Sequence, residues 1–288
     1  MKKVISTCLS VLMISSVINA DSEDTATEVI NQTLQSIEVP SDSPDWMKRT
    51  SLKLRVEKGF KPTYEFETVQ PIYQISTDDM IFWQFNSTYR DHIDTHNLGL
   101  GYRNIINSNL MLGINSFYDY QADNKHKRWS IGAEAIGNYL EFRANRYMAI
   151  SKKKEVSTGV FEEVLDGWDT EIGALIPSTD LKVFLAYSKW DAKNTLDLEQ
   201  KSISVEYPIN NYIVFDLQYT SDSQKQGSLD KSRVLARLSI SFGPKSKSSK
   251  NLITSEDLHD RLLIPVKREN EIIVEKTISS TITIGRGT

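Results

Sequence analysis

The residues of this chain that could do chemistry are acidic and basic side chains two or four positions apart. Glu65 with Glu67, Glu141 with Arg143, Asp169 with Glu171, and Arg233 with Arg237 follow that spacing, and Glu134 and Glu206 join them. On an extended chain, even spacing puts such side chains on one face. Two carboxylates held close together could serve as acid and base in a hydrolysis. Opposite charges on facing strands would instead pair with one another. No Ser-His-Asp order, Gly-rich phosphate loop or spacing that singles out a nucleophile accompanies them. Charge pairing is therefore the leading reading and hydrolysis the minor one.

Other reactive types are sparse. His92 and His96 stand four apart in His-Ile-Asp-Thr-His, beside Asp91 and Asp94. Metal binding needs several such ligands converging, and a solvated loop is the plainer reading. His126 sits with Lys125, Lys127 and Arg128, a cluster suited to lipopolysaccharide phosphates, since cations bind phosphate by charge and hydrogen bonding. Lys152, Lys153 and Lys154 read as a solvated charge run. Cys8, the single cysteine, lies in the leader, which leaves the mature chain no disulfide, thiol nucleophile or Cys-based zinc site. No cofactor or metal is expected.

The elements that must position these charges have a period of two. Leu98, Leu100 and Tyr102; Leu110, Leu112 and Ile114; Trp129, Ile131, Ala133 and Ala135; and Leu140, Phe142 and Ala144 are apolar rows with small or polar residues between them. Such alternation marks strands with one apolar face. Similar rows run from Leu52 to Val56 and from Tyr64 to Thr68, and again at Ile81, Trp83 and Phe85. Later ones begin at Trp168, Leu181, Ile203, Ile213 and Val234. About twelve segments result, each close to the length of a tilted membrane strand. Tight turns such as Asn107-Ser108 and Pro177 to Asp180 alternate with longer polar connections such as Tyr120 to Lys127, Lys152 to Glu163 and Asp191 to Gln200. Aromatics fall near segment ends: Tyr102, Tyr118, Trp129, Tyr139, Tyr147, Trp168, Tyr187, Trp190, Tyr207, Tyr212 and Tyr219. Short turns on one side, long loops on the other and aromatic girdles favour an antiparallel outer-membrane β-barrel over a soluble sandwich. Its charged face would then line the lumen. The last row ends at Ile240 and Phe242, like the strand signal read by the outer-membrane assembly machinery.

Length and composition agree with this. The 288 residues are 39% hydrophobic and 25% charged, with net charge −4. A barrel needs only every second strand residue to be apolar, so the mean hydropathy of −0.38 does not oppose it. The pI near 5.7 gives no reason to expect nucleic acid. Residues 1–20 read as a secretory leader: Lys2 and Lys3, an apolar core from Val4 to Val17, and a cleavage site after Ala20. Residues 21–49 form an acidic, Ser/Thr-rich periplasmic arm, 50–243 the barrel, and 244–288 a lumenal linker and short tail.

The run Asn97 to Arg103 (NLGLGYR), followed by Asn109 to Asp119 (NLMLGINSFYD), resembles the β-domain of inverse autotransporters, the intimin and invasin group. His126 to Arg128, Ser130 to Glu134, Tyr139 to Asn145 and Gly167 to Asp169 continue the resemblance in order. Asp260 to Ile264 and Lys267 to Glu275 resemble the segment that follows the barrel in that group. The resemblance implies an all-β barrel of about twelve strands, with a linker and short helix running through the lumen to the cell surface. It also implies a role in surface attachment, with outer-membrane lipid, lipopolysaccharide, the assembly machinery and a host or neighbouring cell surface as partners. The sequence departs from the pattern in two ways: a peptidoglycan-binding module is missing, and Thr288 leaves no room for an immunoglobulin-like passenger. A passenger-less, porin-like barrel and, more weakly, a barrel enzyme are the alternatives.

Overall fold

The computed structural model describes residues 43–225, 230–243, 257–278 and 281–286. The expected leader and most of the N-terminal arm lie outside the described residues. One helical turn, α1 (Asp45–Lys48), leads into β1 (Thr50–Glu57), β2 (Thr63–Ser76), β3 (Asp79–Arg90) and β4 (Ile93–Asn107). Then come β5 (Leu110–Gln121), β6 (Lys127–Gly137) and β7 (Leu140–Ala149), and a short hairpin of β8 (Lys154–Ser157) and β9 (Val160–Val164). The chain continues through β10 (Asp166–Leu175), β11 (Lys182–Asp191), β12 (Leu198–Pro208), β13 (Ile213–Asp222) and β14 (Ser232–Ser241). The tail holds β15 (Ile273–Ile278) and β16 (Thr281–Arg286).

Twelve of these strands, β1 to β7 and β10 to β14, close into one antiparallel barrel. The seam joins β1 to β14 in a register running from Ser51 opposite Ser241 to Glu57 opposite Leu235. Closure leaves no unpaired barrel edge, which is the condition for strands to cross a bilayer. Among the described residues no helix is long and apolar enough to cross a membrane.

Burial is inverted relative to a soluble protein. Leu98, Leu100, Ile114 and Leu185 are 56 to 63% exposed on the outer wall, while Asn97, Arg103, Asp119 and Arg128 are fully buried inside. The apolar rows read from the sequence thus form the outer, lipid-facing wall. At one end, the near mouth, β1 begins, β14 ends and the turns are short. At the other, the far mouth, the connections are longer, except for the two-residue turn Asp91-His92 between β3 and β4.

Two expectations need correction. Tyr147 and Trp190 do not belong to an outer girdle. They are fully buried in the lumen, whereas Tyr118, Trp129, Tyr139, Tyr207 and Tyr219 are exposed as girdle residues should be. Tyr147 shares the parity of Glu141, Arg143 and Asn145 on β7, and that parity points inward. The stretch from Lys152 to Glu163 is not a plain loop. Its β8–β9 hairpin joins β15 and β16 in a second, four-stranded sheet of order β16-β15-β9-β8 at the far mouth. Among the described residues of the tail, the short helix that the resemblance implies is the 3-10 turn His259–Arg261.

Leu100 lies near mid-strand on the lipid face, opposite Trp83 on one side and Ser116 on the other. Leu100→Arg should destabilise the barrel by about 2–4 kcal/mol, the cost of a cation at the bilayer midplane. Unfolding from lipid vesicles in urea measures this.

Candidate functional site: the lumen and its threaded segment

The lumenal charges are matched pair by pair. Lys53 Nζ lies 2.8 Å from both Glu65 and Glu67. Glu134 accepts from Arg103 Nε at 2.6 Å, and Arg143 reaches Glu141 at 2.6 Å and Glu171 at 3.1 Å. Asp216 pairs across the β13–β14 ladder with Arg237 at 3.3 Å. Arg233 binds Glu57 at 2.7 Å and also Asp222. Asp169 accepts from the Tyr147 hydroxyl at 2.5 Å and from Asn145 at 2.7 Å. Glu206 takes the ammonium of Lys267 at 2.7 Å. All ten charged residues singled out in the sequence therefore line the interior. Ile240 sits at the barrel seam opposite Leu52 and Ile213. Phe242, just beyond β14, donates its N–H to the Thr50 carbonyl at 3.0 Å.

Residues 257–264 turn through the 3-10 stretch at the near mouth, and residues 265–272 then climb the interior as irregular, unpaired chain. Such a chain carries carbonyls with no strand partner, and buried carbonyls need donors. The barrel wall supplies them as side chains. Arg103 donates to Leu262 and Ile264, Gln84 to Val266, and Asn145 to Lys267. Arg128 donates to Glu269 and Glu271, and Asn97 to Asn270. At the near mouth Arg261 donates to the Gly137 carbonyl and pairs with Glu141. Leu258, Leu262 and Val266 pack against Val69, Met80, Ile105, Met111 and Ile136, an apolar floor on the lumen face. Each of the three linker side chains gains about 1.5–3 kcal/mol from full burial.

Two linker cations rest on aromatic rings. Lys267 Nζ lies 3.3 Å from the centre of the Phe184 ring, and the Arg268 guanidinium carbon 4.5 Å from that of Phe117. Phe117 stands opposite Gly99 and Phe184 opposite Gly173. A Cβ on either glycine would fall inside the facing ring, so the missing side chain lets the ring lie against the wall and leaves room above it for the cation. Arg268 completes its site with Asp119, at 2.7 and 2.8 Å, and Asp119 also accepts from Arg128 at 2.7 Å. All three side chains of this triad are fully buried.

The other expected sites resolve differently. His126 and Arg128 do not form an exposed phosphate cluster: both are fully buried, Arg128 because β6 puts its even-numbered residues inside and His126 just before that strand, against β9. His126 Nε2 lies 2.9 Å from Glu162 of β9. Lys125 and Lys127 of that cluster are exposed. His92 and His96 separate, His96 bonding Ser87 at 3.0 Å and stacking on Phe85. Among the described residues no group of His, Cys, Asp or Glu is arranged to hold a metal. The lumenal residues missed from sequence, Gln84, Asn97, Arg103, Asp119 and Arg128, all share the inward parity of their strands, and that was the available signal.

Asp119→Ala would strand two buried guanidiniums. Breaking a buried pair costs about 3–5 kcal/mol, so this variant should lose the heat-resistant barrel form at lower temperature and release the linker to protease. At the near mouth His259 lies outside the strands, hydrogen-bonded to Asp257 and Asp78 at 2.9 Å each, and these bonds raise its pKa above the ordinary value. Its hold on the linker is complete below the pKa of a free imidazole and is lost as pH rises through the raised value. Hydrogen exchange of residues 258–262, corrected for intrinsic rate, should therefore increase in the wild type as pH rises through that raised value. It should stay flat in an Asp78→Asn, Asp257→Asn double variant.

Comparison with known proteins agrees with this geometry. The chain is 32% identical over 130 residues to the putative attaching and effacing protein homolog of Escherichia coli K12, matching 44% of each chain. It is 27% identical over 250 residues to the inverse autotransporter adhesin YeeJ of the same organism, which is 80% of this chain but 10% of that protein. The chain thus spans less than half the length of these relatives. A membrane protein solved in work on in-meso crystallisation superposes with TM-score 0.65 at 22% identity, over 79% of this chain and 99% of that one. The profile of the family described as inverse autotransporter, β-domain, matches residues 9–270. With its closed twelve-strand barrel, the chain belongs to this family and is a protein of the bacterial outer membrane.

Proposed function

We propose that this chain is the translocator barrel of an inverse autotransporter of the intimin and invasin kind, serving surface attachment. The observation that carries the reading is the path of residues 257–278. The segment starts beside Asp78 at the near mouth, runs through the lumen on barrel side chains, and emerges at the far mouth, where β15 pairs with β9. In this reading the near mouth faces the periplasm and the far mouth the exterior. Residues 1–20 are the leader, 21–49 the periplasmic arm, 50–243 the barrel and 244–288 the linker and tail. Ile240 and Phe242 serve as the signal for the assembly machinery, and exposed Lys127 and Trp129 meet lipopolysaccharide. Attachment to a host or neighbouring cell is carried by the far-mouth loops and the delivered tail; the adhesin name of the relative YeeJ supports this role.

The reading is non-enzymatic, since Glu65, Glu67, Glu134 and Glu141 are engaged by cations rather than poised as acid and base. A porin-like role is the second reading, favoured by a cavity of about 850 Å³ left beside the linker.

An epitope placed after Thr288 should stain intact, unpermeabilised cells. Staining only after permeabilisation would contradict delivery of the tail. In planar bilayers, deleting 246–288 should open a conductance that the full chain lacks. A porin-like barrel would conduct equally with and without the segment.

A further inference from the structure

We infer that the lumen holds a latent path for small ions beside the linker, sealed at the far mouth by a cap of arginines and carboxylates that Arg286 of the tail hairpin completes. This rests on the reading of a membrane-spanning barrel with its tail threaded inside. The linker's backbone is held from one side of the lumen, and its Lys267 side chain reaches across to Glu206 and Phe184. The side chains that hold its carbonyls, Gln84, Asn97, Arg103, Arg128 and Asn145, all belong to β3 through β7. The opposite wall, β10 to β14 and β1, faces the cavity of about 850 Å³. Its lining includes Ser202, Ser204, Gln218, Glu206, Asp216 and Arg237, a surface of hydroxyls, amides and matched charges suited to water and ions. The cavity begins at Lys48, Arg49 and Gly243 by the near mouth and ends beneath Arg55, Glu271 and Arg286.

Those last residues belong to a dense cap. Arg286 reaches Glu57 at 2.7 Å, Glu271 at 2.9 Å and Glu269 at 3.7 Å. Arg55 and Arg90 also bind Glu271, and Arg233 binds Glu57 and Asp222. Phe60, from the β1–β2 turn, covers the group, its ring centre 4.8, 5.7 and 5.9 Å from the guanidinium carbons of Arg90, Arg286 and Arg233. Four guanidiniums therefore meet four carboxylates, and mutual pairing makes the cap compact and closed. Arg286 comes from β16, beyond the threaded segment, so the tail hairpin supplies the piece that closes the cavity. Without it Glu57 retains Arg233, and Glu271 retains Arg55 and Arg90. The linker then stays seated while the roof loses one side chain. Rings of charged side chains control ion passage in other pores; here the pairing closes the ring, and opening it leaves a weakly selective route.

The test is single-channel recording of the purified full-length chain in planar bilayers, comparing wild type, R286A, Phe60→Ala and the 246–288 deletion. Wild type should be silent, and R286A should pass a current smaller than that of the deleted chain. Silence of R286A beside a conducting deletion would overturn the proposal, as would a wild type that already conducts. If R286A fails to reach the heat-modifiable barrel form, Phe60→Ala decides: it leaves every ion pair in place, and current through it supports the cap while silence rejects it. Surface staining of a tagged R286A chain tests the translocator reading separately, because delivery of the tail does not depend on the seal.

Discussion

In hydrocarbon there is no water to accept or donate a hydrogen bond, so every strand amide at membrane depth must pair within the protein. The β1–β14 seam meets that demand by closing the sheet on itself. Lipid claims one face of each strand for apolar side chains, and the polar side chains must then go inside. The interior so formed is crowded with charge, and charge held away from bulk water persists only when it is paired. Lys53 between two glutamates and Arg143 among Glu134, Glu141 and Glu171 are direct results.

The threaded segment takes part in this matching. Lys267 completes Glu206, Arg268 completes Asp119, and Glu271 binds Arg55 and Arg90. The linker needs the barrel for its carbonyls, and the barrel needs the linker for part of its charge. Glycine on one strand, an aromatic ring on the next and a cation above the ring form a repeated unit at Gly99–Phe117–Arg268 and Gly173–Phe184–Lys267. An irregular chain is thereby held by side-chain donors and flat rings rather than by strand pairing, until it leaves the lumen and β15 joins β9.

The barrel was legible in the sequence because lipid enforces apolar residues at every second position, and rows such as Leu98, Leu100 and Tyr102 survive as a plain pattern. The inward charges were legible by the same parity. Tyr147, Trp190, His126 and Arg128 carried the inward parity too, but residue type pulled the reading outward, towards girdle and loop. The far-mouth sheet was hidden for another reason. Its strands are four to six residues long, and β9 and β15 are separated by most of the barrel's second half, so no local pattern announces their pairing. The apolar floor at Met111 and Ile136 depends on what enters the lumen, which no single strand encodes.

The central claim is that the tail lies inside the barrel, and proximity between wall and linker tests it most directly. Asn97 donates to the Asn270 carbonyl at 3.0 Å. In a Cys8→Ser background, cysteines at positions 97 and 270 should be joined by a short thiol cross-linker in intact outer membranes. Pairing position 270 with an outer-wall cysteine at position 100 should give no product. Free thiols at 97 and 270 that never cross-link in the folded barrel would contradict the account.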